Sequence, residues 1–102
     1  MDSELTMDLL VTYDVETVTP QGQRRLRKVA KICEASGHRV QKSVCEVVCR
    51  DTDKVRLVAA LQAAIDPMHD TIRIYRLPTG ALDDVEHLGR PRRVDPRGPL
   101  VI

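Results

Sequence analysis

The 102-residue sequence predicts a single α+β domain, with two helices packed on one face of an antiparallel sheet. Three observations carry that prediction. The stretch Met7–Val15, MDLLVTYDV, is an apolar run that alternates as a strand does and ends beside a carboxylate. Two later stretches, one after Thr19 and one after Asp51, repeat their apolar residues at helical spacing. Segments rich in β-branched residues, 38–49 and 71–77, follow the first and second of these.

Met1–Thr6 is polar and expected to fray. In the first strand, Leu9, Val11, Tyr13 and Val15 fall on one side, and Leu10, Thr12 and Asp14 on the other. Both sides are apolar for most of the run, so this is a central strand. Its second side is half-covered, with Asp14 near the carboxyl end. A carboxylate there is costly unless it is solvated, paired or holding a cation, which makes Asp14 the candidate functional centre. From the residue alone, an ion pair with an arginine is the stronger reading.

Glu16–Thr19 is a polar connection, with Thr19 as N-cap and Pro20 in the first helical position. The helix is expected to reach about Ser36 and to stop at Gly37 as a left-handed C-cap. Leu26, Val29, Ala30 and Cys33, with Ile32 at the edge, form the stripe that packs on the sheet. Arg24, Arg27, Lys28 and Lys31 repeat at the same spacing on the far side, where Glu34 is the acid nearby. A solvated helix face and a phosphate-contacting surface both remain open for this second stripe.

His38–Cys49 predicts two short antiparallel strands reversing around Lys42–Val44, or a single bulged strand, with Ser43 and Glu46 as its polar groups. Asp51 or Thr52 is expected to cap a helix over Asp53–Ile65 that buries Leu57, Val58, Leu61, Ala64 and Ile65. Asp66–Pro67 ends it. Thr71–Leu77 is a further strand with Ile72 and Ile74 inward, closed by the turn Pro78–Thr79–Gly80. The resulting order, β-α-β-β-α-β, is that of a ferredoxin-like sandwich spanning residues 1–80. Such a sheet leaves one face bare. Here that face carries Leu10 and several valines, so burial against a second copy in a symmetric homodimer is the simplest arrangement.

Residues 81–102 lie outside that core. Asp83–Leu88 is expected to add a short edge strand. Arg90, Arg92, Arg93 and Arg97 face Asp95 alone in a segment broken by Pro91 and Pro96. Pro99, Leu100, Val101 and Ile102 end the chain on an apolar tip that suits docking on a partner's sheet edge, with a loose basic tail as the alternative.

Composition narrows the function. With no Phe or Trp and two Tyr, stacking platforms for bases are limited to Tyr13 and Tyr75. Sixteen basic against fifteen acidic residues mean that any polyanion must be recognised by local charge, not by net charge. Cys33, Cys45 and Cys49 lack C-x-x-C spacing and suit a reducing cytoplasm, and His38, His69 and His87 are too scattered to suggest zinc. No stretch has the length of a membrane span and no signal-peptide core is present, so a cytoplasmic protein without membrane contact is expected. On a two-fold dimer, two Asp14 carboxylates brought together would repel. A shared Mg²⁺ would resolve the conflict, and it could activate water for attack on a phosphodiester.

The run VTYDV, then Gly22–Lys31 (GQRRLRKVAK), then Arg39–Glu46 (RVQKSVCE) resembles Cas-two (Cas2), the small CRISPR-associated nuclease family of the spacer-acquisition machinery. The tail, with Val85–Gly89, Asp95–Pro96 and Gly98–Leu100, resembles the form found in type I-C systems. The resemblance implies a ferredoxin-like homodimer in which Asp14 coordinates the metal, Mg²⁺ or alternatively Mn²⁺. It implies an endonuclease acting on RNA or double-stranded DNA. It also implies an architectural role, in which the dimer supports a duplex at the centre of the Cas-one integrase and residues 85–102 cross to the other protomer and contact that integrase. Where the family usually places an aromatic, this chain has Cys45, which weakens a stacking role there.

Three functions follow. The first is a metal-dependent phosphodiesterase centred on Asp14, with Tyr13 and the Arg24/Arg27 face as supporting contacts. The second is a non-catalytic DNA-bridging subunit that relies on the basic stripe and tail. The third, a ferredoxin-like dimer binding a small effector, ranks last because no glycine-rich anion loop supports it.

Overall fold

The computed structural model describes residues 5–90. In chain order the elements are β1 (Met7–Asp14), α1 (Pro20–Ser36), β2 (His38–Gln41), β3 (Val44–Cys49), α2 (Asp51–Ala64), β4 (Thr71–Leu77) and a 3₁₀ turn, Ala81–Asp83. The four strands form one antiparallel sheet in the order β2-β3-β1-β4, so β1 is internal as its two apolar sides require. This is the ferredoxin-like arrangement.

The core lies between sheet and helices. Leu9, Val11 and Tyr13 of β1 and Cys45, Val47 and Cys49 of β3 are buried in one cluster with Val29 and Cys33 of α1 and Leu57, Leu61 and Ala64 of α2. Ile72 and Ile74 pack against it from β4, opposite Tyr13 and Val11. At about 1.5–3 kcal/mol for each fully buried aliphatic side chain, this one face supplies the main driving force for the fold. Cys33, Cys45 and Cys49 are free thiols within it, and the hydrogen bond with the neighbouring Cys33 thiol, together with burial, pushes the Cys45 thiol well above its ordinary pKa.

The second face of the sheet carries the even-numbered residues of β1. Leu10, Thr12, Val44 and Glu46 are half-buried there, while Asp14, Val48, Arg73 and Tyr75 are exposed. Burial raises the Glu46 carboxyl above its ordinary range, against the opposing charge of His38 across the β2–β3 pair.

Local signals set most boundaries. The Thr19 hydroxyl accepts from the Gly22 N–H at 3.0 Å and Pro20 opens α1, as the sequence indicates. Gly37 ends α1 for a different reason from the one expected. Its φ of −167° is extended rather than left-handed, and its N–H donates to the Cys33 carbonyl at 2.9 Å. A Cβ at Gly37 would run into the Glu46 carbonyl oxygen, so close approach to β3 is what excludes a side chain. The β2–β3 hairpin does reverse at Lys42–Ser43, with Gln41 opposite Val44 and a register irregularity between Arg39 and Gln41. Helix α2 starts at Asp51, earlier than expected, because Asp53 reaches back from inside the helix and accepts the Arg50 N–H at 3.2 Å.

The expected edge strand over Asp83–Leu88 does not form in the single chain. Gly80, at φ +90°, turns the chain into the 3₁₀ segment. There the Leu82 N–H donates to the buried Asp8 carboxylate at 2.8 Å. The Thr79 hydroxyl donates to the Thr6 carbonyl at 3.1 Å. These contacts carry the chain toward the sheet's open face instead of along the free edge of β4, and residues 85–88 are left exposed and without a ladder partner. The proposed docking residues Pro99–Ile102 and the arginines at 92, 93 and 97 lie outside the described residues. Among the described residues, no helix is long and apolar enough to cross a membrane.

Candidate functional site

Asp14 is the last residue of β1, and the reason for its exposure is the register. On one side β3 ends opposite Thr12, at Val44; on the other, Asp14 faces Thr71, the first residue of β4. The carboxylate therefore projects past the hairpin on the open face. Among the described residues it has no hydrogen-bond or ion-pair partner, so the arginine pairing that a lone strand aspartate suggests is not made. It borders a shallow depression of about 290 Å³ lined also by Thr12, Ser43, Thr71 and Arg73.

Tyr13 points the other way. Its ring is buried under the helices and its hydroxyl donates to the Lys42 carbonyl at 3.1 Å, while its backbone N–H donates to the Ser43 carbonyl at 3.0 Å. Burial pushes the phenol above its ordinary pKa. A neutral phenol engaged with the turn fixes the hairpin tip, and Ser43 with it, beside Asp14. The structure thus joins Tyr13 to Asp14 through the turn and keeps the two side chains on opposite faces. Cys45, also buried on the helix side, lies opposite Val11 and packs beneath the site.

The charge pair that the structure does build involves two residues the sequence reading did not single out. Asp70 has a fully buried side chain that takes the Arg25 guanidinium at 2.7 Å. It also accepts the N–H of Glu16 at 3.1 Å and of Asp66 at 2.8 Å. The Arg25 guanidinium holds the Asp70 carboxyl down to about 2. One side chain thus ties the β1–α1 loop, α1 and the α2–β4 loop together, and Thr71, the next residue, is Asp14's neighbour. Nearby, His69 Nδ1 lies 2.9 Å from Asp66 Oδ2, and that carboxylate raises the imidazole pKa. Two signals were available in the sequence: Arg25 falls outside the stripe of Arg24, Arg27, Lys28 and Lys31, and Asp70 immediately precedes a strand.

Those four stripe residues are all exposed on α1, and among the described residues none has an ion-pair partner. Glu34, the nearest acid in sequence, is drawn away to Arg39 at 3.1 Å. The stripe belongs to the helix layer, whereas Asp14 faces away from it. Among the described residues, the arginine on Asp14's own face in the adjoining strand is Arg73, opposite Thr12. Its signal was the alternation of Thr71–Leu77, which sends Ile72 and Ile74 to one side and Arg73 and Tyr75 to the other; the register that sets Arg73 beside Asp14 has no trace in the sequence.

Among the described residues no group of three or more His, Cys, Asp or Glu side chains can hold a metal. One exposed carboxylate with hydroxyls around it suits a hard cation that keeps most of its water and completes its shell from a second carboxylate or from phosphate oxygens. Mg²⁺ fits that donor set; zinc, which needs several nitrogen or sulfur ligands, does not.

Comparison with known proteins gives a consistent result. The sequence model of the family described as CRISPR associated protein Cas2 matches residues 7–85. A Rhodospirillum rubrum protein named CRISPR-associated endoribonuclease Cas2 3 is 49% identical over 94 residues, covering 92% of this chain and 99% of that one. A Halalkalibacterium halodurans protein named CRISPR-associated endonuclease Cas2 is 43% identical over 95 residues, covering 93% and 99%. Among solved structures, that of Streptococcus pyogenes Cas2 at pH 6.5 superposes with a TM-score of 0.73 at 46% identity, covering 81% of this chain and 100% of that one.

Proposed function

Because the chain belongs to the CRISPR-associated protein Cas2 family, we propose that it is a metal-dependent endonuclease of CRISPR adaptation that hydrolyses phosphodiesters in RNA or double-stranded DNA. The observation that carries this reading is Asp14: an exposed carboxylate with no partner among the described residues, at a strand end, beside a depression lined by hydroxyls and an arginine. In a symmetric homodimer formed through the open face, each protomer contributes one Asp14 carboxylate to a site near the axis. Mg²⁺, or Mn²⁺ in its place, would be held by Asp14 and would supply Lewis acidity there when bound. The chain's own groups hold and orient. Asp14 provides the anionic ligand, and the hydroxyls of Thr12, Ser43 and Thr71 offer hydrogen bonds to phosphate oxygens. Tyr13 fixes the turn that presents Ser43, and so acts as a positioning residue.

A second reading is a non-catalytic subunit that bridges duplex DNA within the Cas-one integrase complex. It is favoured by the exposed stripe Arg24, Arg27, Lys28 and Lys31, which lies in the layer remote from Asp14 and so suits backbone contacts without chemistry. The decisive experiment compares parent and Asp14→Ala side by side across pH and divalent ions. The nuclease reading expects Mg²⁺-dependent cleavage to fall to background in the variant while duplex binding stays within about twofold. Equal cleavage by both proteins would remove Asp14 from the chemistry.

A further inference from the structure

The open face beside Asp14 contains a second charged group, Arg73, to which the nuclease reading assigns no role. Arg73 stands opposite Thr12 in the β1–β4 register, one diagonal step from Asp14 opposite Thr71. Diagonal neighbours on one face of an antiparallel pair lie roughly 7–8 Å apart, somewhat less between Cβ atoms. Both side chains border the same 290 Å³ depression. Arg73 is exposed and has no carboxylate partner among the described residues; its contact is with the ring of Tyr75, whose centroid lies 5.3 Å from the guanidinium carbon. That cation–π contact limits where the guanidinium swings while leaving its N–H donors free.

We propose that Arg73, steadied by Tyr75, is the substrate-contacting residue that binds the phosphodiester at the Asp14 site. The proposal deepens the nuclease reading by assigning its phosphate contact. An anion approaching Asp14 on the open face meets a carboxylate that repels it, and the α1 stripe belongs to the other layer of the sandwich. Arg73 is the cation within one diagonal step of that carboxylate on the same face. A planar fork of donors matches two phosphate oxygens, whereas an ammonium supplies only a point charge. A phosphodiester seated in the depression then has the guanidinium on one side and Asp14 on the other, with the hydroxyls of Thr12 and Thr71 within the same lining.

The test uses the full-length protein and two probes, a 30-base-pair DNA duplex and a single-stranded RNA of similar length. Binding is measured without divalent ions over a series of salt concentrations for the parent, Arg73→Ala, Arg73→Lys and Tyr75→Leu. Cleavage is measured with Mg²⁺, and mass in solution is recorded for every variant. Arg73→Ala is expected to lower the salt slope for at least one probe by about one unit per contacted phosphate and to raise KM more than it lowers kcat. Arg73→Lys should keep most of the slope but bind more weakly, because the fork is lost. Tyr75→Leu should keep the slope and weaken binding severalfold. The probe whose slope responds identifies the nucleic acid held at the site. A folded Arg73→Ala with the parental slope on both probes would overturn the proposal. So would a variant whose only defect is a lower mass in solution, since that would make Arg73 an interface group. Cleavage that survives Asp14→Ala while Arg73→Ala still flattens the slope would sink the nuclease reading and leave the phosphate contact standing.

Discussion

Asp70 fixes the neighbourhood of the site without taking part in it. Its carboxylate is the common acceptor for Arg25, Glu16 and Asp66, so an asparagine there removes the charge that pairs with the guanidinium and one of the two acceptor oxygens, setting an NH2 donor against a backbone donor in a buried position. Asp70→Asn is expected to destabilise the fold by on the order of 3 kcal/mol, read from urea unfolding at neutral pH. Its pH dependence has a defined sign. Because the folded pKa is depressed to about 2, the stability that Asp70 contributes is fully present above the unfolded value near 4. It is lost as the pH falls from about 4 toward 2. The parent should therefore lose stability across that window and Asp70→Asn should lose markedly less; parallel curves would show that other carboxylates govern the acid transition.

Helix α1 has two faces with separate purposes. Val29 and Cys33 are buried in the same core cluster as residues of β1 and β3, which anchors the helix through a side independent of its charges. Charge on the opposite face can consequently be changed with little effect on folding, typically within about 0.5 kcal/mol. Replacing Arg24, Arg27, Lys28 and Lys31 together by glutamine should leave the unfolding midpoint nearly unchanged. It should also flatten the salt dependence of duplex binding by about 0.9 for each phosphate released. An unaltered slope would make the stripe a plain solvated face. The break between α1 and β2 is equally specific: Gly37 is required by the Glu46 carbonyl pressed against it, and so by the packing of two elements, not by the turn itself.

At the level of the whole molecule, the sandwich has one finished face and one unfinished one. The helix-covered face is closed, while Leu10, Val44, Val48 and Tyr75 leave the other partly apolar around a carboxylate and an arginine that have no ion-pair partner among the described residues. A symmetric pairing through that face would bring the two Asp14 groups toward each other, which is why catalysis and dimerisation are coupled in the proposed function. The C-terminal segment belongs to the same question, because residues 85–88 find no strand partner within one chain. Deleting Pro99–Ile102 should weaken co-purification with the Cas-one integrase while leaving the unfolding midpoint of the core unchanged. Equal recovery of the truncated form would rule out that tip as the docking element.

The strand Met7–Asp14, the capped helix after Thr19 and the inward residues Ile72 and Ile74 were legible because local periodicity reports which side of an element is apolar. Asp14 was legible as a carboxylate on an otherwise apolar strand. Register was not legible, since nothing along the chain specifies that Arg73 lies opposite Thr12 or that Asp70 takes Arg25 across 45 positions. Those pairings arise only when α1 and the α2–β4 loop close over the same end of the sheet. The sequence thus determined the elements, their buried sides and the candidate carboxylate. Tertiary packing alone decided which arginine shares Asp14's face, that Tyr13 is held in the core, and that Asp83–Leu88 forms no strand within the single chain, because each depends on distances between segments that the chain order leaves free.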